Sequence, residues 1–197
     1  MKTHVNGNTL NVSFSTKIVP GHSWNDIVLP VDKKEQLLKV SKYAKNYSKT
    51  YEMLGLDKNS RGKGLNILFS GSSGVTKTMA AEIIANDLKL DLFKIDLSMV
   101  VSKYIRETEK NLNRIFKDVE DSNVVLFFDE ADALFGKRSE VKDAHDKYTN
   151  VEVNYLLQKM EEHEGIVILA ANSSMKIDDA FLRRMTFIVE FPVPNGD

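Results

Sequence analysis

The chain has 197 residues, 42% of them hydrophobic, which is enough for one domain with a proper core, since a globular chain of this size buries about 70% of its unfolded surface. Its 27 basic and 28 acidic residues nearly balance, so the charge gives no reason to expect a nucleic-acid partner. The longest apolar runs, VVLFF and IVILAA, are far shorter than the roughly 18 residues of a membrane span, and no apolar leader segment follows Met1. Cysteine is absent, which excludes disulfides and thiolate metal sites. We therefore expect a cytoplasmic protein that does not bind membranes.

The first part of the chain predicts an accessory strand followed by a long helix. Apolar residues alternate with polar ones at Leu10, Val12 and Phe14, which is the period of a strand with one apolar face. We interpret residues 1–23 as an N-terminal extension. Within residues 32–54, apolar positions recur every three or four residues, as they do along one face of an amphipathic helix.

Five apolar runs after residue 64 alternate with helical patterns. The runs are LNILF from residue 65, DLFKIDL from 91, NVVLFF from 123, GIVILAA from 165 and TFIVEF from 186. The helix faces expected between them are Met79, Ile83 and Ile84, then Leu112, Ile115, Phe116 and Val119, then Val151, Tyr155, Leu156 and Met160. Near-continuous apolar strands that alternate with helices predict an α/β fold in which helices cover both faces of a parallel sheet. Ligands of such sheets bind outside the carboxyl ends of the strands.

The stretch LFSGSSGVTKTMAAEIIA, residues 68–85, nearly matches the phosphate-binding pattern G-x-x-x-x-G-K-[ST]. The expected binding residues are Gly71, Ser72, Ser73, Gly74, Val75, Thr76, Lys77 and Thr78. In such a loop the backbone amides and the following helix N-terminus favour a phosphate, the lysine reaches the β and γ phosphates, and the final hydroxyl is a Mg²⁺ ligand. The alternative is a glycine-serine turn with an incidental lysine.

Thr76 stands where the pattern requires its second glycine. A glycine before the lysine is expected either because the backbone there has positive φ or because a Cβ would press on the phosphates. A β-branched threonine suits neither requirement, and strain of this kind costs on the order of 1 to 3 kcal/mol. We therefore expect a site that is weakened and not abolished.

A second motif, VVLFFDE, ends a buried strand in two carboxylates, Asp129 and Glu130. In phosphoryl transfer one such carboxylate holds Mg²⁺ while its neighbour takes a proton from the attacking water. Acidic residues after a strand are often only solvated turn residues. Their position downstream of a phosphate loop favours the catalytic interpretation.

These motifs resemble those of AAA-family ATPases of the protein-remodelling clade, within their large α/β subdomain. The resemblance runs from LNILFSG to VEFPVP, and WNDIVL at residues 24–29 resembles that family's adenine-contacting segment. We therefore expect one such subdomain over residues 24–197. The resemblance implies a P-loop NTPase three-layer sandwich whose five parallel strands follow the order 5-1-4-3-2. It also implies that ATP and Mg²⁺ bind and that ATP is hydrolysed.

The resemblance further assigns roles to single residues. Those expected to bind ATP and Mg²⁺ are Asp26, Ile27 and Val28 at the adenine, mainly through their backbone, Lys77 and Thr78 at the phosphates, and Thr78 with Asp129 at the metal through water. Those expected to act in hydrolysis are Glu130 as the base, Asn172 as the sensor-1 residue that orients the attacking water, and Arg183 and Arg184 as the arginine-finger region that reaches a neighbouring subunit. An arginine finger uses a rigid fork of donors against developing phosphate charge. The alternatives are a turn-forming asparagine and two ordinary surface arginines.

The stretch VSKYIRETEKNL resembles the family's first pore loop, in which an aromatic residue grips a polypeptide threaded through a ring of six subunits. Tyr104 would be that residue and Ile105 its neighbour, while Arg106 replaces the glycine of the family's triplet. The alternative is a tyrosine packed under a loop. Residues 136–147 lie where relatives have a second pore loop, although a mixed-charge run is also typical of a solvated loop. We expect His163 to be an ordinary surface residue.

The resemblance also has implications for the lid, the assembly and the overall function. In the family a small helical lid follows the sheet, whereas the given sequence ends at FPVPNGD, so we expect either a fragment or a protein that functions without its own lid. The leading hypothesis is an ATPase that remodels a protein partner, as a homo-hexamer in its full-length context and as a monomer when only these residues are present. The alternative is a nucleotide-binding scaffold or regulatory subunit with weak turnover or none. A P-loop GTPase is disfavoured because no base-reading N/T-K-x-D motif is present.

Overall fold

The described residues of the computed structural model form a six-stranded sheet with helices on both faces. They are residues 15–54, 64–72, 74–101, 105–120, 122–135, 145–172, 177 and 179–192. The strands are β1 (Ser15–Ile18), β2 (Leu65–Ser70), β3 (Asp91–Asp96), β4 (Val124–Asp129), β5 (Ile166–Ala171) and β6 (Phe187–Glu190). The helices are α1 (Val31–Leu54), α2 (Gly74–Leu88), α3 (Leu97–Val100), α4 (Ile105–Asp118), α5 (Asp132–Phe135), α6 (His145–Glu162) and α7 (Asp179–Leu182).

The order of the strands in the sheet is β1-β3-β4-β5-β2-β6. The five predicted strands, β2 to β6, are parallel throughout, and their arrangement is the expected order 5-1-4-3-2 read from the β6 edge. Every residue of β4 and β5 is buried, which explains why these strands are continuous apolar runs in the sequence. The predicted α/β fold of the P-loop NTPase type is confirmed.

Strand β1 adds a sixth, antiparallel strand at the edge of the sheet. It pairs with β3 from Ser15 opposite Ile95 to Ile18 opposite Leu92. The alternating residues on which the sequence predicted an N-terminal strand, up to Phe14, lie outside the described residues. The observed strand directly follows them and belongs to the main sheet.

Alternate residues along the strands face two separate apolar layers. On β4, Leu126 and Phe128 belong to the layer that includes residues of α4 and α6, whereas Val125 and Phe127 belong to the layer that includes residues of α1 and α2. A fully buried side chain of this size contributes about 1.5 to 3 kcal/mol relative to its exposed state. The alternation also puts Asp129, the last residue of β4, on the face covered by α1 and α2.

The buried face of α6 differs in part from the predicted one. Leu156 and Met160 are buried as expected, but Val151 is 44% exposed. Val153 and Leu157 are buried in its place. The buried residues Val153, Leu156, Leu157 and Met160 follow the i, i+3, i+4, i+7 spacing of one helix face, whereas Val151 is about 200° away from Val153 around the helix.

His163 is buried, so the expectation of a surface histidine is wrong. Only 9% of the residue is exposed, and its ring packs edge-to-face against Phe116 with the ring centroids 5.6 Å apart. A Cβ at Gly165 would lie 2.4 Å from the His163 Nε2, so the chain after α6 needs a glycine there. Within the described part of the chain, Nε2 has no hydrogen-bond partner. Burial lowers the pKa of His163 to about 4.

The buried histidine predicts that the protein loses stability in mild acid. Its pKa falls from 6.5 to about 4 on folding, so between these values the unfolded chain binds the proton more strongly and stability drops as the pH is lowered. The loss from this group at pH 5, relative to pH 7, is about 2 kcal/mol. We expect His163→Phe to show a correspondingly smaller decrease in unfolding free energy between pH 7 and pH 5, measured with urea. An equal decrease in both proteins would exclude His163 as the cause.

Candidate functional site

Three of the predicted site features meet at the carboxyl ends of three adjacent strands. The phosphate loop follows β2, Asp129 ends β4, and Asn172 follows β5. Because these strands are parallel, their carboxyl ends lie along the same edge of the sheet, where ligands of open α/β sheets bind. The fold thus brings together side chains that are far apart in the sequence.

The phosphate loop begins with a glycine that no other residue could replace without strain. Gly71 has φ +149°, and a Cβ there would lie 2.7 Å from the carbonyl oxygen of Phe191. Its amide donates to the Ala171 carbonyl of β5 at 3.1 Å, while the Phe191 amide donates to the Ser70 carbonyl at 2.7 Å. The loop is therefore held between β5 and the residue that follows β6.

The rest of the loop leads directly into α2. Ser72 is exposed, and Ser73 lies outside the described residues. Gly74 is the first residue of α2, and Val75 beside it is 76% exposed. The free amides of a helix N-terminus are a natural site for an anion.

Thr76 is not strained in the way the sequence suggested. It is the third residue of α2, and the non-glycine residues with positive φ in the described part of the chain are Lys89 and Glu130. The expectation that this position needs positive φ is therefore wrong, because the helix has already begun at Gly74. The second reason that the sequence suggested, crowding of a bound phosphate by the threonine side chain, stays a prediction.

Lys77 is buried, with 2% exposure, and its amine points back to the ends of two strands. Nζ donates to the Gly71 carbonyl and, at 3.2 Å, to the Ala171 carbonyl. Burial lowers the pKa of Lys77, and the nearby carboxylates, Asp129 first among them, act in the opposite direction. The ammonium group is thus fixed at the mouth of the phosphate loop.

Asp129 and Glu130 differ sharply in environment. Asp129 is 9% exposed and accepts a hydrogen bond from the Glu130 amide at its Oδ1, over 3.0 Å. Its Oδ2 lies 2.8 Å from the Nζ of Lys94, a β3 residue that the sequence analysis missed. Glu130 is exposed and has φ +56°, a left-handed conformation that is uncommon outside glycine. Such outliers concentrate at functional sites.

Asn172 is held by a carboxylate that the sequence analysis also missed. Its backbone amide donates to both Asp132 oxygens, at 3.2 and 3.1 Å, and its side-chain Nδ2 donates to Oδ2 at 2.7 Å. Asp132 is the first residue of α5 and the second acidic residue after Asp129 in the run DEAD. That third carboxylate was the signal available in the sequence, just as Lys94 was the one basic residue in the apolar run DLFKIDL.

The segment expected to contact adenine lies beside α2. The carboxylate of Asp26 accepts hydrogen bonds from the Ser23 amide at 2.6 Å and the Ser23 hydroxyl at 2.7 Å, and these bonds lower the pKa of Asp26. The Ile27 side chain is buried in the core, whereas Val28 is 93% exposed. The side chains of Asp26 and Ile27 are therefore already engaged within the protein, and the backbone amide of Asp26 donates to the Ser23 carbonyl at 3.0 Å.

Polar contacts fix this segment and α1 to α2. His22 Nδ1 lies 2.6 Å from Glu82 Oε2, a hydrogen bond that raises the pKa of His22. The carboxylate of Asp87 on α2 accepts from Ser41 at 2.5 Å and from Lys45 at 2.6 Å, both on α1. Burial alone would raise the pKa of Asp87, but these bonds outweigh it and lower the pKa. One α2 carboxylate thus joins two helices.

The two candidate arginine fingers do not meet the phosphate loop of their own chain. Arg183 and Arg184 are exposed and precede β6, the strand whose first residue pairs with Ile67 in the middle of β2. Arg184 Nε lies 3.5 Å from Glu161 Oε1 on α6. The described residues therefore keep both guanidinium groups at the surface.

Parts of the candidate pore loops lie outside the described residues. Tyr104 is among them, as are residues 136–144. Ile105 is the first residue of α4, and Arg106 is exposed. Across the described helices, none combines the length and the apolar character that a bilayer crossing requires.

Comparison with known proteins identifies the family. The profile of the ATPase family associated with various cellular activities (AAA) matches residues 67–193. The uncharacterised AAA family ATPase y4kL of Sinorhizobium fredii is 34% identical over 185 residues, which are 93% of this chain and 54% of that protein. Cell division protein C of Sulfolobus acidocaldarius is 29% identical over 89% of this chain and 47% of its own length.

A third relative is the cell division cycle protein 48 homolog of Archaeoglobus fulgidus, 29% identical over 90% of this chain and 24% of its own length. The chain thus spans about half of the first two relatives and about a quarter of the third. The family profile covers the phosphate loop, the Asp129–Glu130 pair, Asn172 and both arginines. The chain belongs to the AAA family of nucleotide-binding ATPases.

Proposed function

We propose that this chain binds ATP with Mg²⁺, hydrolyses it, and in its full protein context uses the energy to remodel a protein partner. The observation that carries the proposal is the convergence of Lys77, Asp129 and Asn172 at the carboxyl ends of adjacent strands, beside the α2 N-terminus. An ammonium group, a nearly buried carboxylate and a fixed amide are the groups that phosphoryl transfer requires. The membership of the AAA family supports the same reaction.

The residues present suit ATP and Mg²⁺. The α2 N-terminus and the Lys77 amine favour the phosphates, and the exposed Val28 is available at the proposed adenine side. The Thr78 hydroxyl, which donates to the Gly74 carbonyl at 3.1 Å, and the Asp129 carboxylate are the oxygen ligands that Mg²⁺ prefers. When bound, Mg²⁺ would supply positive charge that stabilises the developing charge on the phosphates.

The remaining groups would act on the attacking water. Glu130 is exposed beside Asp129 and is the proposed general base. Asn172 is the proposed water-orienting residue, and Asp132 holds its amide and its side chain in place. Positioned groups of this kind lower the barrier because they need no rearrangement during the reaction.

The assembly and the partner are proposed from the resemblance to the AAA family. We place the protein in a homo-hexameric ring in the cytoplasm, with Arg183 and Arg184 acting on the neighbouring site and Tyr104 and Ile105 contacting a protein substrate. The exposure of both arginines and their position before β6 support action between subunits. Two of the relatives are named for cell division and for the cell division cycle.

A second candidate is a nucleotide-binding scaffold with weak turnover or none. Thr76 favours it, since this side chain occupies the position of the pattern's second glycine in the first turn of α2. Turnover decides between the two candidates.

The assignment of Glu130 as the base predicts binding without hydrolysis in Glu130→Gln. ATP affinity by calorimetry should be retained, because phosphate and metal ligands are intact, while turnover should fall by a factor on the order of 10² to 10⁴. Lys77→Ala is the contrasting variant and should weaken ATP binding about 10- to 100-fold, as expected for loss of a hydrogen bond to a charged group. Unchanged turnover in Glu130→Gln would remove Glu130 from the mechanism.

The crowding by Thr76 predicts that Thr76→Gly tightens ATP binding about tenfold, a gain of 1.4 kcal/mol, and raises turnover. Thr76→Ala is the matched control, since it retains the Cβ and avoids a glycine in the first turn of α2. If the alanine variant matches the glycine variant, the γ atoms of threonine crowd the site; if it matches wild type, the Cβ does. Equal affinity and turnover in all three proteins would show that the loop accommodates threonine.

Action of the arginines between subunits predicts complementation. Arg184→Ala subunits and Glu130→Gln subunits should each be inactive, and their mixture should regain ATPase activity where an intact site meets an intact arginine. Glu161→Ala is the control, because it removes the partner of Arg184 within the chain and should leave turnover unchanged. The absence of recovery at every mixing ratio would count against catalysis across the interface.

A further inference from the structure

Lys94 places a second ammonium group at the carboxylate proposed to serve the metal. Lys94 lies on β3 opposite Phe127 of β4, and Asp129 is two residues further along the same strand and on the same face. The lysine side chain crosses diagonally above Phe127, with Nζ 6.0 Å from the ring centroid, and ends 2.8 Å from Asp129 Oδ2. Side chains at such diagonal positions are within reach of each other in a sheet.

The ion pair uses the free oxygen of Asp129. Oδ1 accepts the Glu130 amide, and Oδ2 faces Lys94, so both oxygens of the carboxylate have partners. The side chain of Asp129 is 12% exposed and that of Lys94 is 33% exposed. An ion pair this sheltered is screened less by salt than a surface pair.

We propose that Lys94 acts as a built-in cation that makes nucleotide binding less dependent on Mg²⁺. The inference rests on the proposed function, in that ATP binds at the phosphate loop. Without a divalent cation, the negative charge of an unpaired Asp129 would repel the phosphates. The Lys94 ammonium neutralises that carboxylate and so reduces the repulsion. With Mg²⁺ bound, the Asp129 carboxylate must share or release Lys94 to interact with the metal. Part of the stabilising energy of the ion pair is then lost. Both effects bring the affinities with and without Mg²⁺ closer together.

The experiment compares the dissociation constant of a non-hydrolysable ATP analogue in excess Mg²⁺ with that in EDTA, by calorimetry. Lys94→Met keeps the length and apolar stem of the side chain and removes its charge. We expect the ratio of the analogue's dissociation constant in EDTA to its dissociation constant in Mg²⁺ to rise about tenfold in this variant. That factor is the low end of the effect of losing a hydrogen bond to a charged group. Lys94→Gln, a second neutral replacement, should raise it as well.

Two further variants separate this role from a general effect of charge or folding. Lys94→Arg retains a cation that reaches a carboxylate and should return the ratio to the wild-type value. Lys17→Met is the matched control, because Lys17 makes an ion pair of the same length, 2.8 Å, with Asp91 at the opposite end of β3. It should leave the ratio unchanged.

The outcomes distinguish this inference from the proposed function. If the wild type binds the analogue and neither Lys94→Met nor Lys94→Gln raises the ratio, the proposed role of Lys94 is wrong. The proposed function is not affected by that result. A ratio that rises equally in Lys17→Met overturns it too, since the effect would then be one of net charge. If the wild type binds the analogue in neither condition, the proposed function fails and the inference fails with it.

Discussion

Two successive carbonyls at the end of β5 fix the geometry on which the rest of the site depends. The carbonyl of Ala171 accepts the Gly71 amide and the Lys77 amine, and that of Ala170 accepts the Ala131 amide at 3.0 Å. The phosphate loop and the turn after β4 are therefore both attached to one central strand. Because β5 is buried along its whole length, the positions of these groups are set by the packing of the sheet.

The charges around these carbonyls bear on the proposed binding of ATP together with Mg²⁺. Two ammonium groups, those of Lys77 and Lys94, face three carboxylates, those of Asp129, Glu130 and Asp132. The buried Lys77 amine is tolerable only because carbonyls and carboxylates surround it. Without added cations the carboxylates outnumber the ammonium groups, so a phosphate chain is best accommodated together with positive charge.

The sequence predicted the strands and their ends well, because a strand buried on both faces leaves a long apolar run and its ligands lie where the run stops. It did not predict contacts that depend on how strands are paired. The roles of Lys94 and Asp132 were not predicted for this reason, since their partners, Asp129 and Asn172, lie on or after neighbouring strands. His163 was misjudged because polar neighbours surround it in the sequence, and the strain at Thr76 was misjudged because the start of α2 was not known.

The carboxylate of Asp87 has a mechanical consequence. It joins α2 to the middle of α1 through Ser41 and Lys45, and it also bonds the Trp24 side chain of the segment that precedes α1. A helix of 24 residues is about 36 Å long, so α1 extends well beyond the point of attachment at both ends. Because Leu37, Val40 and Ala44 of α1 are buried in the apolar layer that α1 shares with α2, the two helices and Trp24 form one rigid unit behind the phosphate loop.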